Sequence, residues 1–156
     1  MGASRQLEAL KALVARRGEL ARASEFAQAA LDALGDGEVD AAAVDLLVAH
    51  ARRRPGEEDC EADQDDHGAL AAAAAARGGE VWLALRLGWL RAALAEQRRR
   101  GGGGEDDGIR ELYGELLDEH RDQPAALARI REVGRLIDEA VERGDLPRAL
   151  IRHAPR

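Results

Sequence analysis

Residues 79–100 read GEVWLALRLGWLRAALAEQRRR, and this stretch decides the fold that the sequence predicts. At about 100° per residue, apolar side chains would cover two sides of a helix, with only Arg86 and Arg91 between them. A helix that is apolar on two sides needs neighbours on both. We therefore expect the segment from Val81 to Ala95 to be the central helix of a bundle. One side would carry Val81, Trp82, Leu85, Trp89, Ala92 and Ala93, and the other Leu83, Leu87, Leu90 and Leu94.

Length and composition predict one globular domain over residues 1–156, long enough to fold without disulfides or metal ions. The single cysteine, Cys60, has no internal partner, which suits a reducing compartment. The N-terminus lacks the apolar core of a signal peptide, and no segment approaches the ~18 to 20 apolar residues of a membrane span. We expect a cytoplasmic protein that does not contact membranes.

Apolar residues recur at three- and four-residue steps through most of the chain, and no stretch alternates with the period of two that strands show. The predicted fold class is all-α, a single bundle of about five or six helices around the tryptophan-containing helix. Acidic residues and glycines predict flexible loops at about 55–67 and 101–107. Helices are expected at about 4–17, 20–34, 40–54, 69–100 with a kink or break at 78–79, 109–117 and 124–143, with one further short segment at about 145–151.

Aspartates are predicted to cap three of these helices: Asp40 the third, Asp66 the fourth and Asp122 the last long one. Pro124 falls in the tolerated first turn of that last helix, and Gly144 is expected to end it. The small side chains of the alanine run at 69–76 should let a neighbouring helix approach closely.

No catalytic, cofactor-binding or metal-binding residue is predicted. None of the four histidines, His50, His67, His120 and His153, follows a glutamate by three positions, so the paired motif of di-iron bundles is missing. The histidines are expected to face solvent or to bond locally. Acidic residues from Asp63 onward resemble the start of a calcium loop, but alanine occupies the position of its essential glutamate. Carboxylates around Cys60 disfavour a reactive thiolate.

Two runs of three arginines could contact phosphates, but both fall near predicted helix C-termini, where the helix dipole stabilises cations. The net charge of −7 also opposes binding to nucleic acid, because that affinity comes chiefly from basic side chains. A structural role for the arginines is favoured, and nucleic acid is not an expected partner. The runs are Arg52–Arg54 and Arg98–Arg100.

The missing catalytic constellation favours a non-catalytic protein-protein interaction module, an adaptor or a small structural subunit of a larger assembly. Its apolar helix surfaces, including the stripe from Leu127 to Val141, exceed what a small bundle would hide, so a protein partner or self-association is expected. The alternative is a small-molecule-binding bundle, possibly an enzyme, with an apolar pocket between the tryptophans. Both hypotheses use the same candidate residues: Trp82, Leu85, Arg86, Trp89, Arg91 and Tyr113.

Overall fold

A computed structural model describes residues 2–35, 37–51, 66–100 and 108–146, with the side chains of 2–4 left out. All regular structure in these ranges is helical, which confirms the predicted all-α class. None of the described helices is long and apolar enough to cross a membrane. The helices are α1 (Gly2–Ala15), a 3-10 turn (Arg17–Glu19), α2 (Ala23–Leu34), α3 (Ala41–Ala51), α4 (Asp66–Arg77), α5 (Gly79–Arg99), α6 (Ile109–Glu119) and α7 (Pro124–Arg143).

The described ranges contain seven α-helices, where about five or six were expected. The difference arises at Gly78 and Gly79, which have φ of +65° and +64°. Glycine adopts this left-handed conformation without the steric cost that a Cβ imposes, and it interrupts a right-handed helix. The alanine run and the tryptophan segment are therefore two helices.

The helices form two compact units, Met1–Trp89 and Leu90–Arg156, and the boundary between them falls inside α5. The single domain predicted from the sequence stays a prediction. The loop expected at 101–107 and most of the one expected at 55–67 lie outside the described residues. The predicted end of the loop at 55–67 is wrong, however, because Asp66 and His67 already belong to α4.

The four complete helices of the first unit alternate in direction. Near the start of α1, Gln6 bonds to the backbone at the end of α2 and just before α3. At the opposite end, Asp66 of α4 bonds to Arg17, which follows α1, and to His50 in the last turn of α3. Helices α1 and α3 therefore run one way and α2 and α4 the other. Helix α1 packs on α2 and α3, and α4 packs mainly on α2.

Small side chains let α2 and α4 approach closely. The buried stripe of α2 includes Ala23, Ala27 and Ala30, and α4 is an alanine-rich helix with Leu70 and Ala74 buried. Alanine keeps the helix axes close because it adds only one methyl group to each surface. The sequence predicted this close approach from the alanine run, and the extensive α2–α4 packing confirms it.

The side chain of Gln6 joins three segments at one end of the first unit. Its amide nitrogen donates to the carbonyl oxygens of Leu34 and Glu38 at 3.1 and 2.9 Å. Its oxygen accepts a hydrogen bond from the backbone N–H of Asp40 at 2.7 Å. Gln6 therefore satisfies backbone groups that the end of α2 and the start of α3 leave unpaired.

Replacing Gln6 by leucine is expected to lower the free energy of unfolding by about 1–2 kcal/mol, because partly buried backbone groups lose their partners. Urea denaturation measures this loss. The matched control is Gln28→Leu, since Gln28 makes an exposed bond to Arg77 and should cost no more than about 0.5 kcal/mol. Equal losses in the two variants would mean that the three bonds of Gln6 contribute nothing specific.

Helix ends agree with the sequence at two positions and differ at a third. As predicted, Asp40 precedes α3 and its carboxylate accepts from the N–H of Ala42 at 3.2 Å. Gly144 ends α7, also as predicted. Asp122 was expected to cap α7, but Gln123 occupies the N-cap position and Pro124 is the first helical residue. The predicted cap was one residue too early, although proline was correctly expected in the first turn, where its missing N–H costs little.

Helix α5 buries Val81 and its leucines, so both of its predicted apolar sides carry buried residues, whereas Ala92 and the two tryptophans stay partly exposed. Leu85 is 0% exposed, whereas Trp82 and Trp89 each keep some contact with solvent. In the second unit, α6 packs against α7. The buried aliphatic residues of α5 are Val81, Leu83, Ala84, Leu85, Leu87, Leu90, Ala93 and Leu94.

Candidate functional site

The two tryptophans pack against each other on α5. Their ring centroids are 5.9 Å apart and the rings are nearly perpendicular, at 86°. This edge-to-face arrangement places the positive edge of one ring on the negative face of the other. Because Trp82 and Trp89 lie seven positions apart on one helix, they form a rigid and partly exposed aromatic surface.

A histidine from α4 extends this surface. The imidazole of His67 lies 5.0 Å from the ring of Trp89, with 59° between the planes. His67 was expected in a solvated loop, and that placement is wrong, because His67 is the second residue of α4. The acidic residues just before it carried the loop prediction past the true start of α4. Its contact with Trp89, 22 positions along the chain, has no local sequence signature.

A buried arginine of α5, Arg86, also contacts this aromatic surface. Its guanidinium carbon lies 4.3 Å from the centroid of the Trp82 ring, and its Nε donates to the Trp82 carbonyl oxygen at 3.5 Å. Only 5% of Arg86 is exposed. A cation at this distance over the face of an indole is attracted by the ring quadrupole. We refer to His67, Trp82, Arg86 and Trp89 as the Trp cluster.

Three further residues were predicted as site candidates: Leu85, Arg91 and Tyr113. Leu85 is fully buried on the same helix as the tryptophans. Arg91 is half-buried and lies two positions after Trp89, so it points to another side of α5. Tyr113 is on α6, in the second unit. The structure therefore brings together Trp82, Arg86 and Trp89 in one contact group.

Tyr113 packs against a glycine of α7. A Cβ atom built on Gly134 would lie 2.1 Å from the Tyr113 hydroxyl oxygen and 2.6 Å from its Cζ atom. Only a residue without a side chain leaves room for the tyrosine ring there. Burial, with a smaller effect from the nearby Asp138, raises the pKa of Tyr113 above its ordinary value.

A second polar group lies at the end of the first unit where α1 and α3 end and α4 begins. The carboxylate of Asp66 accepts three hydrogen bonds from Arg17: Nε lies 3.1 and 2.9 Å from the two oxygens, and Nη2 lies 2.7 Å from Oδ1. His50 Nε2 lies 3.0 Å from Oδ2. The Asp66 side chain is 0% exposed. We call Arg17, His50 and Asp66 the carboxylate clamp.

Phe26 of α2 packs beside the carboxylate clamp. Its ring centroid lies 5.0 Å from that of His50 and 5.3 Å from the guanidinium carbon of Arg17. Phe26 is fully buried and keeps water away from one side of these two polar side chains. The exclusion of water strengthens the ionic contacts of the clamp.

The surroundings of Asp66 favour the ionised form of its carboxyl group. Burial alone would raise the pKa of its carboxyl group, but the hydrogen bonds and positive charge of Arg17, with the bond from His50, outweigh burial and hold that pKa below its ordinary value. The hydrogen bond to Asp66 also raises the pKa of Arg17. The clamp thus holds a charged carboxylate in the interior and joins the ends of three segments to it.

The carboxylate clamp was not predicted from the sequence. Asp66 was interpreted as a helix cap, whereas it is the first residue of α4 and its carboxylate binds Arg17 and His50. His50 was expected to face solvent or bond locally, and its partner instead lies 16 positions away. Of the described histidines, His120 follows the prediction, because its Nδ1 lies 2.9 Å from the carbonyl oxygen of Leu116, four positions earlier.

The arginine run at the end of α5 is partly paired within its own segment. Glu96 forms ion pairs with Arg99 and, at 3.8 Å, with Arg100. This local pairing agrees with a structural role for Arg98–Arg100. Three other features of the sequence lie outside the described residues: the arginine run Arg52–Arg54, the cysteine Cys60 and the histidine His153. Among the residues that are described, no group of three or more acidic, histidine or cysteine side chains could hold a metal ion.

Comparison with known proteins gives no relative. No protein-family model, curated protein or solved structure matches the chain. A function for this chain can therefore be inferred only from the geometry of the Trp cluster and the carboxylate clamp.

Proposed function

We propose that this protein is a non-catalytic interaction module, an adaptor or small subunit, that binds a protein partner or a second copy of itself through the Trp cluster. One observation carries the proposal. Trp82 and Trp89, the largest apolar side chains of the chain, stay partly exposed side by side, while Val81 and the leucines of the same helix are buried. Apolar side chains that lie together at the surface form a patch that a partner can cover.

The chemistry of the Trp cluster suits the centre of an interface. Tryptophan and arginine are enriched among the residues that contribute most to binding between proteins. The edge-to-face contact and the guanidinium over Trp82 hold both rings in place before a partner arrives. A surface that is already ordered loses less side-chain entropy on binding than a mobile one.

The two tryptophans also provide the test, since the chain contains no others. Protein labelled with 5-fluorotryptophan gives one fluorine resonance per tryptophan, and an unlabelled partner stays silent in the spectrum. A partner captured from the native host, or a rise in the protein's own concentration, is expected to shift both resonances. Light scattering would report the mass of the complex.

Trp82→Ala and Trp89→Ala are each expected to weaken the complex by a factor of about 30 or more, since a central tryptophan contributes about 2 kcal/mol or more. Leu7→Ala on α1 is the control, because Leu7 is also partly exposed but belongs to a different helix from the tryptophans. It should leave affinity unchanged. A strict monomer with unmoved resonances, or a complex that tolerates both tryptophan variants, would refute the proposal.

A second candidate function is the binding of a small molecule at the same place. It is favoured by the indole nitrogen of Trp89, which is buried without a hydrogen-bond acceptor among the described residues. A buried N–H without an acceptor is costly, and a ligand carbonyl or carboxylate would satisfy it. On this hypothesis a candidate metabolite shifts the two fluorine resonances while light scattering shows no change in mass.

A further inference from the structure

We propose that the carboxylate clamp positions the Trp cluster: by holding the first turn of α4, Asp66 keeps the imidazole of His67 against Trp89. The inference rests on the proposed function in one respect, because that function is what assigns a role to the Trp cluster. The coupling between the two groups is a property of the free chain.

The link between the groups is the covalent neighbourhood of Asp66 and His67. They are the first two residues of α4, about 100° apart around its axis, so their side chains point in different directions. Asp66 points to Arg17 and His50, and His67 points to the ring of Trp89. A rotation or shift of this turn moves both side chains together.

Around its first turn, α4 has few other side chains that fix its rotation about the helix axis. Its buried side chains are Asp66, Leu70 and Ala74, one residue per turn on a single stripe. Leu70 is the only large apolar side chain among them. A smooth alanine surface allows small rotations against a neighbour, because few side chains interlock across it. The four hydrogen bonds to Asp66 therefore set the rotation of the first turn about the helix axis.

The far end of α4 also has an aspartate–arginine ion pair, but this pair is exposed to solvent. Arg77 donates to Asp32 at 2.7 Å, the same N–O distance that the clamp shows for Arg17 and Asp66. The Asp32 side chain is 72% exposed, so water competes for this pair. Asp32→Asn is therefore a matched control: it alters an aspartate–arginine pair between α2 and the last residue of α4 without disturbing the first turn of α4.

The experiment records near-UV circular dichroism, emission maximum and acrylamide quenching of the two tryptophans in the free protein. Asp66→Asn is expected to reduce the aromatic dichroism, shift the emission to longer wavelength and increase quenching, while Asp32→Asn leaves all three unchanged. Far-UV circular dichroism must show both variants folded. If Asp66→Asn unfolds, Arg17→Gln replaces it, since it removes three of the same bonds but leaves the carboxylate in place.

A double-variant comparison separates positioning from general loosening. His67→Ala should reproduce the change in the tryptophan signals, and Asp66→Asn should add nothing further to it in the His67→Ala background. The proposal is overturned if folded Asp66→Asn and Arg17→Gln keep the wild-type signals, or if the effect of Asp66→Asn is undiminished without His67. Because no partner is present, this outcome is distinct from a failure of the Trp82→Ala and Trp89→Ala binding test.

Discussion

Asp66→Asn is expected to lower the free energy of unfolding by about 3 kcal/mol, the low end of the range for breaking a buried ion pair. The variant removes the negative charge that Arg17 and His50 face, and leaves the guanidinium in a setting built for a carboxylate. The loss falls at the low end because the side chains of Arg17 and His50 are 18% and 14% exposed, and water partly solvates them. Urea denaturation at neutral pH measures it.

The control for stability is again Asp32→Asn, which removes the ion-pair partner of Arg77 at the other end of α4. This pair has the same short distance but is exposed, and exposed pairs contribute about 0–1 kcal/mol. A loss in Asp32→Asn as large as that in Asp66→Asn would show that burial of the clamp has no special effect. A negligible loss in both would show that the clamp is energetically neutral.

The same comparison has a defined pH dependence. A carboxyl group whose folded pKa lies below its unfolded value stabilises the protein above the unfolded value, about 3.9 for aspartate, and this stabilisation is lost as the pH falls through the folded pKa. The stability difference between wild type and Asp66→Asn is therefore expected to be full near neutral pH and to shrink once the pH falls below about 4. A difference that grows on acidification would contradict an ionised Asp66.

Gly134→Ala is expected to lower the free energy of unfolding by about 1–3 kcal/mol, although alanine is ordinarily the better helix former by about 1 kcal/mol. The new Cβ would lie 2.1 Å from the Tyr113 hydroxyl oxygen and 2.6 Å from its Cζ atom, so the ring must move. The ring cannot relieve a clash at Cζ by rotating about its own axis, so either the whole Tyr113 side chain must leave its packed position or α6 must shift against α7. Thermal or urea denaturation measures the loss.

The second unit provides an opposite control in Gly114, which lies in α6 and has nothing within 4 Å of the point where a Cβ would lie. Gly114→Ala should raise stability by about 0.5–1 kcal/mol, because only the helix preference of alanine acts there. In a Tyr113→Ala background, Gly134→Ala should lose its penalty and become neutral or stabilising. A persistent penalty without Tyr113 would show that the close approach of the two helices involves some other contact.

The sequence predicted those features that depend on residues close together in the chain. Periodic leucines and alanines located the helices, Asp40 marked the start of α3, and Gly144 marked the end of α7. The nearness of Trp82, Arg86 and Trp89 also follows from the sequence, because one helix carries all three and its geometry fixes their spacing. Their exposure to solvent does not.

The parts that the sequence did not predict depend on contacts between distant residues. Arg17 and Asp66 are 49 positions apart, and each has a plausible local role, one as an exposed cation and the other as a helix cap. His67 followed a run of carboxylates that suggested a loop. Gly134 interrupts an otherwise ordinary helical stripe, and only the ring of Tyr113 explains why it is glycine. Nothing local distinguishes such residues from surface positions.

The parallel arrangement of α2 and α4 has a consequence for how the chain folds. Contacts between Arg17 and Asp66 and between Gln28 and Arg77 each close a span of 49 residues, and the entropy lost in closing a loop grows with its length. Helices α1, α2 and α3 meet through shorter spans and can associate first. During synthesis, the alanine surface of α2 stays open until about fifty further residues have left the ribosome. Docking of α4 on α2 therefore follows the association of α1, α2 and α3.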